Sequence, residues 1–213
     1  PRSEWDARFE EQEALQSSLE HVRMRGNYGK MIPSLDQNGQ GFCWNYSVTG
    51  AVTMLRALAN LPYVRLSGHA NACLIKDFRD EGGWGALAAD FVMKNGCPST
   101  KVWIEKSMSR SNNTPEMRAN ALEHLVTEDW SDQNVAPYDR SLTEEQRATL
   151  LFNNIPLIGD YNWWGHSIME LRWYRIERGS WGPKILNSWT DGWEDNGMST
   201  LRGSKAQSDG AVA

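Results

Sequence analysis

The stretch Gln37–Ser47 reads QNGQGFCWNYS and passes from a glycine-containing loop into a helix. From there, apolar residues recur at helical spacing, namely Trp44, Val48, Ala51, Val52, Leu55 and Leu58. Cys43 is therefore predicted at or near a helix N-terminus. The helix dipole and the free backbone N–H groups there favour a thiolate, the reactive form of cysteine. The alternative is a small buried thiol, since free cysteine is among the most buried residue types.

The composition is that of an ordinary globular chain. Its 213 residues are 40% hydrophobic and 23% charged, which suits one sizeable domain or two small lobes that share a core. A net charge of −5 argues against nucleic acid as the main partner. No apolar run approaches the roughly 20 residues of a membrane span, so no membrane partner is expected. The polar start shows no secretory signal, although one already removed stays an alternative.

Three cysteines are too few for a disulfide framework, and no C-x-x-C occurs. A bond between Cys73 and Cys97 stays open if Cys43 is the free nucleophile. The four histidines are scattered without metal-ligand spacing, so we expect no metal and no cofactor. With neither a signal nor a disulfide framework visible, the cytoplasm or a phage particle is the favoured location.

The hydrophobic pattern predicts helices early and strands late. Helices are expected over residues 3–25, from Cys43 to about Ala59, after Ser67, from about 85 to 94, over 116–127 and over 143–152. Strands are expected over 155–158, 167–177, 184–189 and 198–202. This order indicates an α+β protein with a helical part and a sheet or barrel part. Residues 98–140 are hard to assign, and 204–213 is expected to be a loose tail.

The histidines differ in their surroundings. His69 is expected to be a surface or helix-cap residue rather than a ligand, and His124 is expected to face solvent. His166 follows two tryptophans and a glycine at the start of a predicted strand, a position that can present an imidazole to a cleft. Asn187 ends another predicted strand, where its carboxamide can accept the imidazole N–H, and Trp189 can shield that bond from water. A core histidine and a turn asparagine remain the alternatives for these two residues.

A cysteine hydrolase needs these groups together: a base beside the thiol and a group that orients the base. Gln37 can offer its side-chain N–H to an oxyanion, together with the backbone N–H of Cys43. The sequence thus contains a candidate nucleophile, base, orienting group and oxyanion donor.

These segments resemble the papain family of cysteine peptidases. Gln37–Ser47 resembles the signature Q-G-x-C-G-S-C-W-x-F-S, and the segment 187–197, NSWTDGWEDNG, resembles N-S-W-G-x-x-W-G-x-x-G. His166 falls between them, as the family's histidine does. Gly82-Gly83 lies where the family has paired glycines on the cleft wall, and Leu66-Ser67 resembles its L-S-E-Q. The resemblance covers about residues 35–203.

The resemblance implies a fold and a set of roles. The fold would be one domain over 1–213, with an N-terminal helix or arm (1–34), a helical lobe (about 35–110), a mostly β lobe (about 111–203) and a tail (204–213). The active site would lie in the cleft between an antiparallel, barrel-like lobe and the helical lobe. Cys43 and His166 would form a thiolate–imidazolium pair at rest, with Asn187, Trp189 and Gln37 in the roles given above.

The same resemblance implies how a polypeptide substrate would lie. Gly83 would pair with its backbone as an added strand does, and Gly41 would border the residue before the scissile bond. Gly82 and Trp84, on either side of Gly83, are also expected to contact substrate, as are Trp189 and Trp193.

Several residues depart from the family pattern. Gln40 stands where many relatives have a disulfide cysteine, and Phe42 replaces a small residue beside the nucleophile. Thr190 and Glu194 replace glycines, and Gly165 replaces a frequent aspartate. Little chain precedes Gln37, so the usual inhibitory propeptide was either cleaved or is not used. A bacterial or phage-encoded member would suit these features.

Three hypotheses follow. The first is a cysteine endopeptidase, carried by the complete set of Cys43, His166, Asn187 and Gln37. The second is a binding or assembly protein of the same fold, for example in a virion, with weak or unused catalysis and a partner held through the charged N-terminal helix. The third is a cell-wall peptide amidase, suggested by the tryptophan-rich C-terminal quarter.

Overall fold

The computed structural model describes residues 1–127, 129–132 and 142–213. The helices of these residues are α1 (Trp5–Leu15), α2 (Leu19–Arg25), α3 (Cys43–Leu58), α4 (Gly68–Ile75), α5 (Gly85–Asn95), α6 (Pro115–Leu122) and α7 (Glu144–Phe152). The strands are β1 (Leu157–Tyr161), β2 (His166–Glu177), β3 (Ser180–Leu186), β4 (Met198–Thr200) and β5 (Gly210–Val212). Short 3₁₀ turns lie at Arg2–Glu4, Arg110–Asn112 and Gly203–Ala206. The predicted α+β class, with helices early and strands late, is confirmed.

The five strands form one antiparallel sheet in the order β4-β3-β2-β1-β5. The sheet is open rather than a closed barrel. The hairpin β1–β2 pairs Tyr161 with His166 and Asp160 with Ser167, so the histidine starts the central strand. A register shift between Glu170 and Arg172 places Leu171 as an extra residue in β2.

The core fills both faces of this sheet. Met169 and Leu171 face a large cluster made with α2, α3, α4 and α5, which includes Trp44 and Val52. A second cluster on the opposite side joins Trp5 of α1, Leu151 of α7 and Trp173 of β2. Because α3 packs on β2, the first residue of α3 and the first residues of β2 meet at one end of the lobe interface.

The N-terminal region is two helices rather than the single helix predicted over 3–25. Gln16 adopts a left-handed conformation (φ 51°) and ends α1. Ser18 then caps α2 by accepting from the backbone of His21, whose ring in turn accepts from the backbone of Ser18. Trp5, Phe9, Leu19 and Val22 of these helices are buried within this chain, whereas Leu15 at the end of α1 is exposed.

Other boundaries moved by a few residues. The predicted helix over 116–127 ends at Leu122, and His124 is buried after it rather than at the surface. The strand predicted over 155–158 starts two residues later, and the one over 184–189 starts at Ser180 and ends before Asn187. Part of the unassigned stretch 98–140 lies outside the described residues.

The C-terminal tail was wrongly predicted to be loose. Residues Gly210–Val212 form the edge strand β5 and pair with β1, from Ile158↔Val212 to Asp160↔Gly210. Ala211 is fully buried and Val212 nearly so. Burial of the small apolar side chains of β5 offsets the entropy that is lost when the tail becomes ordered. The tail's own sequence does not show this, because its partner strand β1 is about 50 residues away in the chain.

Candidate active site

Cys43 is the first residue of α3, as predicted. Phe42 precedes it as the N-cap and provides no side-chain hydrogen bond. The first backbone N–H groups of α3, at the end of the helix where the thiol lies, therefore have no side-chain acceptor from the cap. The Cys43 side chain is partly exposed. Burial raises the pKa of the Cys43 thiol, and the charge of Asp160 raises it further, whereas the backbones of Ser167 and Trp44 lower it. The helix N-terminus and the burial of the side chain therefore shift the pKa of Cys43 in opposite directions.

His166 and Asn187 form the predicted hydrogen bond. The Nε2 atom of His166 lies 2.9 Å from the Oδ1 atom of Asn187, and Oδ1 also accepts the backbone N–H of Ser188 at 2.8 Å. Because Oδ1 is an acceptor, Nε2 carries the proton and Nδ1 is left to act as the base. Burial lowers the pKa of His166, and the bond to Asn187 raises it. The amide thus fixes the tautomer that a general base needs.

Three indole rings surround this bond. The ring centroid of Trp189 lies 5.0 Å from that of His166 at an interplanar angle of 31°. Trp164 lies 4.9 Å from His166 and 5.5 Å from Trp189. Trp193 packs against both indoles, at 5.9 Å from Trp189 and 6.3 Å from Trp164. His166 is consequently only 8% exposed.

Gln37 joins the two sides of the site. Its backbone N–H donates to the carbonyl of Ser188 at 2.9 Å, and the Ser188 hydroxyl donates to Oε1 of Gln37 at 2.6 Å. These bonds fix the amide so that Nε2 donates to the carbonyl of Gln40 at 2.8 Å. An amide nitrogen has two hydrogens, so one remains for an oxyanion.

One wall of the site is built from two loops held together around Trp44. The indole N–H of Trp44 lies 3.0 Å from the carbonyl of Gly41 and 3.3 Å from that of Glu81. Gly41 donates its N–H to Asp80 at 2.7 Å. A Cβ atom on Gly83 would lie 2.5 Å from the Trp44 ring, so only glycine fits there. Gly82, by contrast, has open space around its Cα.

A cavity of about 310 Å³ lies beside this wall, bordered by residues that include Trp84, Asp160, Asn162 and Asp209. Trp84 is 68% exposed. Asp160 faces Ser167 across the β1–β2 pair and accepts its hydroxyl. Burial raises the pKa of Asp160, which nearby Asp132 and Asp209 raise further. These effects favour the neutral form of the Asp160 carboxyl, which lies opposite Ser167, the residue after His166 in β2.

The departures from the resemblance leave the backbone of the site intact. Thr190 (φ 68°) and Glu194 (φ 47°) adopt the left-handed conformation that glycine prefers, so the loop keeps a glycine-like path despite its side chains. Phe42 is fully buried, with its ring 5.5 Å from that of His69. His69, predicted as a surface or helix-cap residue, lies in the first turn of α4 but is fully buried and hydrogen-bonds Tyr46.

The structure also limits what the site contains. Among the described residues, no hydrogen bond joins the Cys43 thiol to His166. Cys73 and Cys97 are buried free thiols, and burial raises their pKa values to about 11 and about 12. In the described part of the chain, no cluster of histidine, cysteine or carboxylate side chains has the arrangement of a metal site. No helix within the same ranges has the length and hydropathy to cross a membrane.

No protein-family model matches this sequence, and neither does any curated protein. Solved structures do match. Bromelain from Ananas comosus, solved with the E64 inhibitor, has a TM-score of 0.68 at 15% identity, over 87% of this chain and 94% of bromelain. Xylellain, a cysteine protease from Xylella fastidiosa, has a TM-score of 0.66 at 15% identity, over 85% of this chain and 82% of xylellain.

Digestive procathepsin L 3 from the larval midgut of Tenebrio molitor has a TM-score of 0.66 at 17% identity, over 84% of this chain. The chain spans only 64% of that protein, and 65% and 61% of a mite allergen and a ragweed pollen cysteine protease proform. The fold is thus that of the papain-like cysteine proteases, a two-lobed α+β architecture.

Some residues of the site were not singled out from the sequence. Trp164 contacts the imidazole, Asp160 acts on the thiol, and Ser188 orients Gln37. The Trp-Trp pair just before His166 was a visible signal for Trp164. Asp160 is in β1 whereas Cys43 is in α3, and Ser188 lies 151 residues from Gln37, so neither contact has a local pattern in the sequence.

Proposed function

We propose that this chain is a cysteine peptidase that uses Cys43 as nucleophile and His166 as base. The observation that carries the proposal is the bond of 2.9 Å between His166 Nε2 and Asn187 Oδ1 under Trp189. This bond leaves Nδ1 as the imidazole's proton acceptor, on the strand whose next residue, Ser167, interacts with the Cys43 sulfur. The fold is the one on which the similar cysteine proteases carry out their reaction.

The proposed reaction has two halves. Cys43 loses its proton to His166, and the sulfur adds to the substrate carbonyl. The backbone N–H of Cys43 and the free hydrogen of Gln37 Nε2 stabilise the resulting oxyanion. His166 then gives its proton to the departing amine, and the C–N bond breaks to leave a thioester. Water, deprotonated by His166, attacks the thioester and releases the carboxylic acid and the thiol.

The burial of Cys43 and His166 affects which protonation state the two side chains adopt. Burial raises the pKa of Cys43 and lowers that of His166, so it favours the neutral thiol and the neutral imidazole. A thiolate–imidazolium pair forms when the helix N-terminus and the attraction between the two charges outweigh that burial. Substrate binding, which brings the reacting groups together, favours the same proton transfer.

We propose that a polypeptide lies along the wall formed by Gly41, Gly82 and Gly83. The backbone of Gly83 is half-exposed above the Trp44 ring and has room for no side chain, as pairing with an extended substrate requires. Trp84 borders the neighbouring cavity, and Trp189 and Trp193 lie on the opposite side of His166.

The test is selective thiol labelling of the folded protein at pH 5–6, with limiting iodoacetamide and separately with the epoxysuccinyl inhibitor E64. An ordinary thiol, with a pKa of about 8.5, is almost wholly protonated at that pH. We expect Cys43 to be modified, with modification lost in His166→Ala. Cys73 and Cys97 are internal controls, because both are fully buried.

Peptidase activity on an unfolded protein gives the second readout. Cys43→Ala should abolish it. Unchanged activity in Cys43→Ala would refute the proposal. Labelling of Cys43 only after unfolding would instead mean an unused site, and a binding role for this fold would then lead.

A further inference from the structure

We propose that Trp164 is a positioning residue for His166, holding the imidazole in the orientation that the reaction needs. This inference rests on the proposed peptidase function. Trp189 covers one face of the imidazole in the way the sequence motif implies. Trp164 comes from a separate segment and belongs to no part of that motif.

The positions of the three rings carry the inference. The centroids of His166, Trp164 and Trp189 are 4.9, 5.0 and 5.5 Å apart, which makes a nearly equilateral triangle. The Trp189 ring is tilted by 31° to the imidazole, whereas the Trp164 ring is tilted by 58° to it and is perpendicular to that of Trp189. The two indoles therefore close two different sides of the imidazole.

The hairpin turn fixes where Trp164 lies. The backbone N–H of Trp164 donates to Tyr161 at 3.0 Å, and that of Gly165 donates to Asn162 at 3.2 Å. Gly165 has φ +62°, a conformation that glycine adopts without strain. The turn is closed by the Tyr161↔His166 pair, so Trp164 and the base are held by one short, hydrogen-bonded unit.

Asn187 alone leaves one motion free. A single bond at Nε2 fixes that atom, but it does not prevent the ring from tilting about the bond and moving Nδ1. Trp164 and Trp189 block this tilt from two sides. A misplacement of about 1 Å at a reacting atom costs up to roughly 100-fold in rate. Preventing the tilt of the imidazole should therefore preserve kcat.

Trp163 provides a matched control. It is the neighbouring tryptophan in the same turn, 45% exposed, and it stacks on the outer side of Trp164 at 5.2 Å. Trp163→Leu removes an indole of the same size without removing a ring that adjoins the imidazole. Trp164→Phe keeps an aromatic ring at the inner position, and Trp164→Leu does not.

The kinetic test uses a peptide substrate and the full chain. Trp164→Leu should lower kcat about tenfold with KM within about twofold, because the residue touches the base rather than the substrate. Trp164→Phe should recover most of kcat, and Trp163→Leu should stay within about twofold of the wild type. Equal kcat values for Trp164→Leu and Trp163→Leu would overturn the inference.

A second measurement does not depend on catalysis. The pKa of His166 is read by NMR in a Cys43→Ala background, with and without Trp164→Leu. Since burial lowers the pKa of His166, opening one side of the ring should raise it, and Trp163→Leu should not. If the wild type lacks peptidase activity but this shift appears, the proposed function fails while the positioning contact stands. If activity is present but the pKa and kcat do not respond, the positioning role fails alone.

Discussion

The reactivity of Cys43 depends on its burial and on Asp160 of β1. Burial raises the pKa of the Cys43 thiol, and the negative charge of Asp160 raises it further. Both effects oppose the helix N-terminus, which favours the thiolate. The balance at this one sulfur decides the pH at which the thiolate exists.

Asp160→Asn should therefore lower the pKa of Cys43. The substitution removes a negative charge but keeps an oxygen that can accept the Ser167 hydroxyl. A lower thiol pKa means more thiolate at mildly acidic pH, so the rate of iodoacetamide alkylation should rise at a lower pH than in the wild type. The measurement is the alkylation rate of Cys43 as a function of pH.

Asp209→Asn is the control for that experiment. Asp209 borders the same cavity and accepts the backbone N–H of Asn162 at 2.7 Å, a bond that asparagine can keep. Asp209 acts on the thiol only through Asp160, whose pKa it raises, so its profile should lie much closer to the wild type than that of Asp160→Asn. Coinciding profiles for Asp160→Asn and the wild type would contradict the electrostatic argument.

The loop that carries Trp189 and Trp193 is held from the N-terminal segment. The guanidinium of Arg23 in α2 is fully buried and lies 2.8 Å from Asp191, 2.7 Å from the carbonyl of Asn196 and 3.2 Å from the Ser34 hydroxyl. Asp191 also accepts the backbone N–H of Ser34 at 2.8 Å. The N-terminal helix or arm thus anchors the loop that covers the candidate active site.

Arg23→Met should loosen this loop. Methionine fills the volume but leaves the carbonyl of Asn196 without its donor, at a cost of about 1–3 kcal/mol. We expect a free energy of unfolding lower by about 2 kcal/mol and slower inactivation of Cys43 by E64. Denaturant unfolding and inactivation kinetics measure the two effects.

Arg25→Met is the matched control, because Arg25 is in the same helix but exposed at its C-terminal end. It should change neither quantity appreciably. Equal behaviour of the two variants would show that the Arg23 contacts do not hold the loop.

The site was more predictable than the connections that support it. Cys43 at a helix start, and Asn187 following a strand in reach of His166, were marked by local patterns. Arg23 is one of several charged residues of α2, and nothing within α2 shows that its partner is Asp191, 168 residues away. Long-range pairs of this kind leave no periodic signal in the sequence.

The ends of the chain complete the molecule. Helix α1 packs on α7 and on the later part of β2, where Arg172 lies 3.2 Å from Gln12 and Arg175 lies 2.9 Å from Asp6. Arg172 is six residues from His166, or about 20 Å along an extended strand.

The tail forms β5 at the edge of the sheet. Composition suggested a loose tail because small and polar residues show no strong pattern until a partner strand is known.

A buried ion pair joins the central strand to the last helix. Arg147 and Glu170 are both fully buried, with Nη2 of Arg147 2.6 Å from Oε1 of Glu170 and Nε 3.3 Å from Oε2. Tyr161 bonds both partners, at 2.9 Å from Arg147 and 2.8 Å from Glu170. Arg147 also donates to the carbonyl of Ala206, which ties the C-terminal segment to the same group.

Breaking this pair from one side should destabilise the whole domain. In Glu170→Gln the guanidinium stays buried without a counter-charge, a situation that costs about 3–5 kcal/mol when a buried pair loses one partner. Glutamine keeps one acceptor oxygen, so we expect the low end, about 3 kcal/mol, in denaturant unfolding. Glu177→Gln at the exposed end of the same strand is the control and should cost within about 0.5 kcal/mol.

The double variant Arg147→Met/Glu170→Leu separates charge from packing. Because it removes both charges, its loss of unfolding free energy should be smaller than the sum of the losses in Arg147→Met and Glu170→Leu. If the costs were additive, the two side chains would act independently, and the link between α7, β2 and the C-terminal segment would be a packing contact rather than an ion pair. If Glu170→Gln cost no more than Glu177→Gln, the pair would not hold the domain together at all.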